Sequence, residues 1–140
     1  GIFEFKVIHV PGHTSGHICF HFFNEKTVFT GDTLFSLGCG RIFEGSYEDM
    51  FNSLLRLKVL PPETKVYFGH EYTLNNAIFC QRFDQNNSEL NKKILNIKKK
   101  LDSGFPSVPS TIKDELNCNI FLRAKNQEEF SKLRDLKDNF

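Results

Sequence analysis

Residues 10–17 read V-P-G-H-T-S-G-H, a strand running into a turn that presents His13. Ahead of it, Phe5 to Val10 alternates with a period of two, and Pro11-Gly12 ends the alternation. Two later stretches repeat the arrangement. F-T-G-D-T (29–33) puts Asp32 after the β-rich run 27–30, and Y-F-G-H-E-Y (67–72) puts His70 after the run 65–68. A loop at the end of a strand can present a side chain while the sheet holds it still. Gly12, Gly31 and Gly69 immediately precede the three polar residues, which predicts a sharp turn or a close approach of the backbone at each.

Around these signals the first seventy residues read strand, hairpin, loop, helix, strand. The runs 17–23 and 27–30, separated by Asn24-Glu25-Lys26, predict a hairpin. Gly31 to Gly45, with four glycines, predicts an irregular loop. Ser46 and Asp49 make a capping box for a helix whose apolar face is Met50, Phe51, Leu54 and Leu55, and Pro61-Pro62 stops it. After Tyr72 the texture turns helical. Helices are predicted over 75–83, over 88–101 with Leu90, Ile94, Ile97 and Leu101 on one face, and from Asn126 onward with Phe130, Leu133 and Phe140 inward. Residues 104–111, with Pro106 and Pro109, predict a loop. The division drawn on this change of texture is 1–73 and 74–140.

Composition excludes several classes of function. The net charge of +1 provides no global field to favour nucleic acid or an acidic membrane. The lysines at 92, 93, 98, 99 and 100 lie mostly opposite the apolar stripe of their helix and read as a solvated face. No apolar run approaches the ~20 residues of a membrane-spanning helix. Cys19, Cys39, Cys80 and Cys118 form no C-x-x-C pair. They read as reduced thiols in a reducing compartment, the cytoplasm first and an organelle as the alternative.

Imidazole and carboxylate are the donors that zinc, iron and manganese accept, and a carboxylate can bridge two metals. A single histidine after a strand is more often a hydrogen-bonded structural residue, and His9 and His21 fit that reading. His17 sits four residues after His13, but the Pro-Gly before it and the β-rich residues after it argue against a helical pair, so it reads as support or structure. Three strand-end signals in succession single out His13, Asp32 and His70.

The motifs P-G-H-T-S-G-H, T-G-D-T-L-F-x-x-G-C-G-R and Y-x-G-H-E-Y-T-x-N-N, in this order, resemble the second half of glyoxalase II, the hydroxyacylglutathione hydrolases of the metallo-β-lactamase superfamily. The likeness continues through P-S-V-P-S-T and the final R-x-x-K-D-x-F. It implies an α/β fold: the C-terminal half of a metallo-β-lactamase αβ/βα sandwich (1–73), then a small all-helical glutathione-binding domain (74–140). It also implies two divalent metal ions, zinc first with iron or manganese as alternatives. His13 would bind one, His70 the other, and Asp32 both. Arg134 and Lys137 match the family's glutathione-binding pair, Arg41 its basic contact, and Tyr72 a tyrosine on the substrate side. Phe43 departs from the pattern, because many relatives carry tyrosine there and one hydrogen bond to substrate is lost.

The reaction implied is hydrolysis of an S-2-hydroxyacylglutathione thioester, such as S-lactoylglutathione, by a hydroxide held between two metals. The family's remaining ligands lie in a Thr-His-x-His-x-Asp-His motif that does not occur in these residues. On that ground the chain by itself is expected to bind metal weakly and to show little or no activity. Half of a sandwich also leaves an apolar sheet face, so self-association is expected. Two other readings stay open: another hydrolase or a persulfide dioxygenase of the same fold, and a non-catalytic module that binds glutathione conjugates.

Overall fold

The computed structural model describes residues 1–140. Three strands come first, β1 (Lys6–His9), β2 (Ile18–Phe22) and β3 (Thr27–Gly31), each antiparallel to the next. A small ribbon of β4 (Leu34–Phe35) and β5 (Gly38–Cys39) follows, then α1 (Tyr47–Lys58) and β6 (Lys65–Phe68). The helical part holds α2 (Thr73–Phe83), α3 (Ser88–Asp102), the short strand β7 (Ser110–Thr111), α4 (Ile112–Cys118), α5 (Ile120–Arg123) and α6 (Gln127–Asp138). The main sheet runs β1-β2-β3-β6-β7. Its β3–β6 pair is parallel, so the chain between them must cross over, and α1 makes that crossing. The α/β expectation holds.

Local signals account for the helix starts. Ser46 and Asp49 form the predicted capping box on α1. Asn87, Thr111 and Asn126 each accept an amide proton from the first turn of their helices. The buried face of α1 is Met50, Ser53, Leu54 and Leu57. Leu55, placed inward by the sequence reading, lies outside, because the seam follows positions 50, 54 and 57 one turn apart.

Two predicted loops contain more structure than expected. The stretch 31–45 holds the buried ribbon, with Leu34 and Leu37 inside the core and Leu37 at the turn with φ +60°. Gly38 belongs there for close packing, since a Cβ would meet the Asn76 side chain at 2.5 Å. The stretch 104–111 ends in β7, which pairs with β6 and brings a strand from the helical part into the sheet.

One apolar cluster joins Val10, Cys19, Val28 and Val66 of the sheet to Met50, Leu54 and Leu57 of α1 and to Phe79, Leu90, Phe121 and Phe130 of the later helices. The opposite sheet face is aromatic and open to solvent. Phe5 packs on Phe20 and Phe22, Phe22 on Phe29, and Phe29 stacks on Tyr67 at 5.3 Å. The four cysteines are buried and free. Burial pushes the thiols of Cys19 and Cys80 up to about 12 and that of Cys118 to about 11. No helix is long and apolar enough to cross a membrane.

Candidate functional site

The turn after β1 is fastened to α1. Ser53 donates to the Pro11 carbonyl at 2.7 Å, and a Cβ on Gly12 would lie 2.9 Å from Met50, which requires glycine at that contact. This places His13 beside the 41–43 loop, where its Nδ1 bonds the Arg41 carbonyl at 2.8 Å. A carbonyl only accepts, so Nδ1 carries a proton there. Nε2 faces Oδ2 of Asp32 at 3.5 Å, a gap that a proton or a metal cation between them would bridge.

Asp32 follows Gly31, whose φ of +53° and closeness to His17 (2.8 Å from a would-be Cβ) leave no place for a side chain. The Asp32 amide donates to Nε2 of His17 at 3.3 Å, so His17 supports the loop from behind. His70 enters from the end of β6. Its Nδ1 lies 2.8 Å from Oδ1 of Asp32, and a Cβ on Gly69 would lie 2.7 Å from the same oxygen. The two histidines therefore reach different oxygens of one carboxylate. His9, by contrast, bonds the Ser15 carbonyl, and His21 is buried in the sheet away from Asp32.

Above these groups opens a cavity of about 390 Å³ whose lining includes all the residues singled out in the sequence: His13, Asp32, His70, Arg41, Phe43, Tyr72, Arg134 and Lys137. Phe43 packs against His13 with ring centres 5.1 Å apart. Tyr72 stacks on His70 at 5.0 Å with the planes 7° apart. The far end is cationic. Arg134 is 3% exposed and ion-paired with Asp138 at 2.9 Å. Lys137 forms no ion pair; burial holds its ammonium below the usual lysine range, with Arg134 and Arg41 adding to the effect.

Phe35, Asn75 and Asn76 also line the cavity, and the sequence reading gave them no role. The signal was present in the N-N that opens α2, but nothing local distinguishes a cavity asparagine from one that fastens the ribbon. Asn76 does the latter, donating to the Ser36 carbonyl at 3.1 Å.

The donor set can be tested for metal on these contacts. The residue types suit a divalent ion, and the gap between His13 and Asp32 is one that a cation would bridge. The side chains here pair with one another, and no group of three or more His, Cys, Asp or Glu is arranged to hold a metal ion. His13, Asp32 and His70 are donors of a suitable type, but three is short of the four that a tetrahedral ion takes.

Comparison with known proteins gives the family. The family model for the metallo-beta-lactamase superfamily matches residues 1–70, and that for the hydroxyacylglutathione hydrolase C-terminus matches residues 71–140. The chain belongs to the hydroxyacylglutathione hydrolase family. A hydroxyacylglutathione hydrolase of Pelagibacter ubique is 62% identical over 138 residues, 99% of this chain and 58% of that protein. One from Rhizobium etli is 47% identical over 96% of this chain and 58% of its own length. The chain thus spans rather more than half the length of these hydrolases. Among solved structures, ETHE1 from Myxococcus xanthus superposes with a TM-score of 0.66 at 28% identity, covering 96% of this chain and 46% of that one. A di-iron-bound form of TTHA1623 does so with a TM-score of 0.57 at 28% identity, covering 86% and 44%.

Proposed function

We propose that these residues form the C-terminal part of a thioester hydrolase that acts on S-2-hydroxyacylglutathione, S-lactoylglutathione being the test case. One observation carries the reading: the two imidazoles and the carboxylate that meet at Asp32 share a single cavity with a cationic wall on α6. A thioester placed over Asp32 leaves its peptide arm facing that wall, so binding orients the reacting carbonyl.

Each residue has a part in this reading. His13, Asp32 and His70 would supply part of the donor set for two divalent ions; when bound, such ions supply Lewis acidity at the scissile carbonyl. The Arg41 carbonyl fixes the His13 ring. Lys137 supplies the unpaired cation for a substrate carboxylate, with Arg41 and Arg134 adding to the local field. Phe43 and Tyr72 form walls on either side and exclude water from the thioester. The cationic wall favours an anionic ligand such as a glutathione derivative, and turnover of the thioester separates a hydrolase from a module that only binds such conjugates.

The 140 residues alone supply three donors, so in isolation they are proposed to bind metal weakly and turn over little substrate. Their open aromatic sheet face is proposed to bring two such isolated chains together.

The test uses the intact protein and two thioesters, S-lactoylglutathione and the lactoyl thioester of N-acetylcysteamine, which lacks both carboxylates. Faster thiol release from the glutathione substrate is expected. Equal kcat/KM for the two would overturn the glutathione assignment. Failure to cleave either, with metal supplied, would overturn the hydrolase reading.

A further inference from the structure

The Arg134 guanidinium has little left to offer a ligand. Its Nε donates to Oδ1 of Asp138 at 3.1 Å, and its Nη2 stands 2.9 Å from the same oxygen in an ion pair. Its Nη1 donates to the Cys39 carbonyl at 2.7 Å and lies 3.4 Å from that of Gly40. The same Asp138 oxygen stands 3.6 Å from Nε of Arg41, whose Nη2 reaches the Asp138 main-chain carbonyl at 3.4 Å. The Arg41 carbonyl, in turn, accepts from His13. A continuous line of contacts therefore runs from Asp138 through Arg134 and the 39–41 backbone to His13. There is no slack in its middle, where a Cβ on Gly40 would lie 1.9 Å from the Asp32 carbonyl.

Charge alone gives no reason for Asp138. A carboxylate beside a wall that receives an anion opposes that anion, and this one lies next to Arg41, Arg134 and Lys137. Its return must come from order. A buried guanidinium fixed on two donors can hold two backbone carbonyls in place, whereas a loose one cannot.

We propose that Asp138 is a positioning residue: through Arg134 and the 39–41 backbone it sets the orientation of His13, coupling the cationic wall to the Asp32 centre. The inference rests on the proposed function only for the identity of the ligand at that wall.

Asp138→Asn separates the two roles by sign. It keeps the shape and one acceptor and removes the charge; because Arg134 is buried, denaturant unfolding measured beside it separates a fold-wide loss from a local one. If Asp138 acted only as a charge, the variant would bind an anion more tightly. If it positions, binding weakens and His13 loosens. Two measurements on the intact protein decide. The first is solvent exchange of the His13 Nδ1 proton, read with nitrogen-labelled imidazole; exchange about tenfold faster in Asp138→Asn is expected, the loss of one charge-assisted hydrogen bond. Asp138→Glu should restore part of the protection. The second is calorimetry with S-hexylglutathione, where Kd should rise about tenfold for the same reason.

Unchanged exchange in Asp138→Asn, or tighter binding of the conjugate, would overturn the positioning role. A wild-type protein that binds no glutathione conjugate, while its His13 proton still answers to Asp138→Asn, would leave that role standing and remove the glutathione reading instead.

Discussion

Gly69 packs directly against Asp32: a Cβ at position 69 would lie 2.7 Å from Oδ1, with the Gly31 carbonyl 3.2 Å away on the other side. The glycine is therefore part of the site without contributing a functional group to it. Asp32 can make room for a methyl group only by leaving the position between His13 and His70. Gly69→Ala is expected to lower kcat/KM of the intact protein by about 100-fold, the scale of a misplacement near 1 Å. Metal content should fall with it. Full activity with full metal content would show that Asp32 is free to move, against the contacts described.

Asp32→Ala carries the same argument to its limit. Both histidines lose the carboxylate they share. Metal content measured after dialysis should fall below that of Gly69→Ala, with activity lost alongside. Unchanged metal content would contradict the proposed role of Asp32 as a metal donor.

Lys137 gives a pH dependence whose sign follows from its surroundings. Burial disfavours the ammonium, Arg134 and Arg41 repel it, and the negative charges that Cys39 and Asp138 can carry favour it less strongly, so its pKa falls below the usual lysine value. Once pH rises through that lowered pKa the wall loses a cation. KM for an anionic thioester is expected to rise on the alkaline side, earlier than an ordinary lysine would allow. Lys137→Arg should remove this rise, since a guanidinium stays protonated there. A pH profile identical in the two proteins would exclude Lys137 as the anion contact.

Glu115 is wholly buried and accepts from the Leu37 amide at 2.7 Å, from Asn119 at 3.1 Å and from the Ser110 hydroxyl, with Lys93 3.4 Å away. It holds the ribbon that leads into the 39–41 segment. Glu115→Ala strands the buried Leu37 amide and leaves Lys93 with Asp114 as its one carboxylate, and should cost about 3 kcal/mol in denaturant unfolding. Glu115→Gln should cost less, because the acceptor for Leu37 survives. A loss under about 1 kcal/mol for the alanine variant would mean that water or another group satisfies these donors.

How far the sequence could be read follows from how local each signal is. The convergence of His13, Asp32 and His70 was legible because each follows a short strand and comes directly after a glycine, a local pattern in the sequence. The capping box of α1 was legible for the same reason. Asp138 was not, because its meaning lies in Arg134, and that of Arg134 in a carbonyl 95 residues earlier. The ribbon at 34–39 was hidden by its glycines: Gly38 is there to make room for Asn76, not to loosen the chain. Helices α4 and α5 were missed because the run 112–123 is short, broken at Asn119, and apolar on more than one side.

The aromatic sheet face provides the last prediction. Phe5, Phe20, Phe22, Phe29 and Tyr67 form a continuous surface, and β1 is an edge strand of the sheet. Burying a phenylalanine side chain contributes about 1.5–3 kcal/mol, while a micromolar dimer needs about 8 kcal/mol. Pairing of two such faces would bury this surface when the 140 residues are prepared alone. Sedimentation at micromolar concentration should show a dimer or larger species. Phe20→Lys with Phe29→Lys should return the monomer, because two charges then meet their counterparts across the interface. A clean monomer for the unaltered chain would count against the pairing.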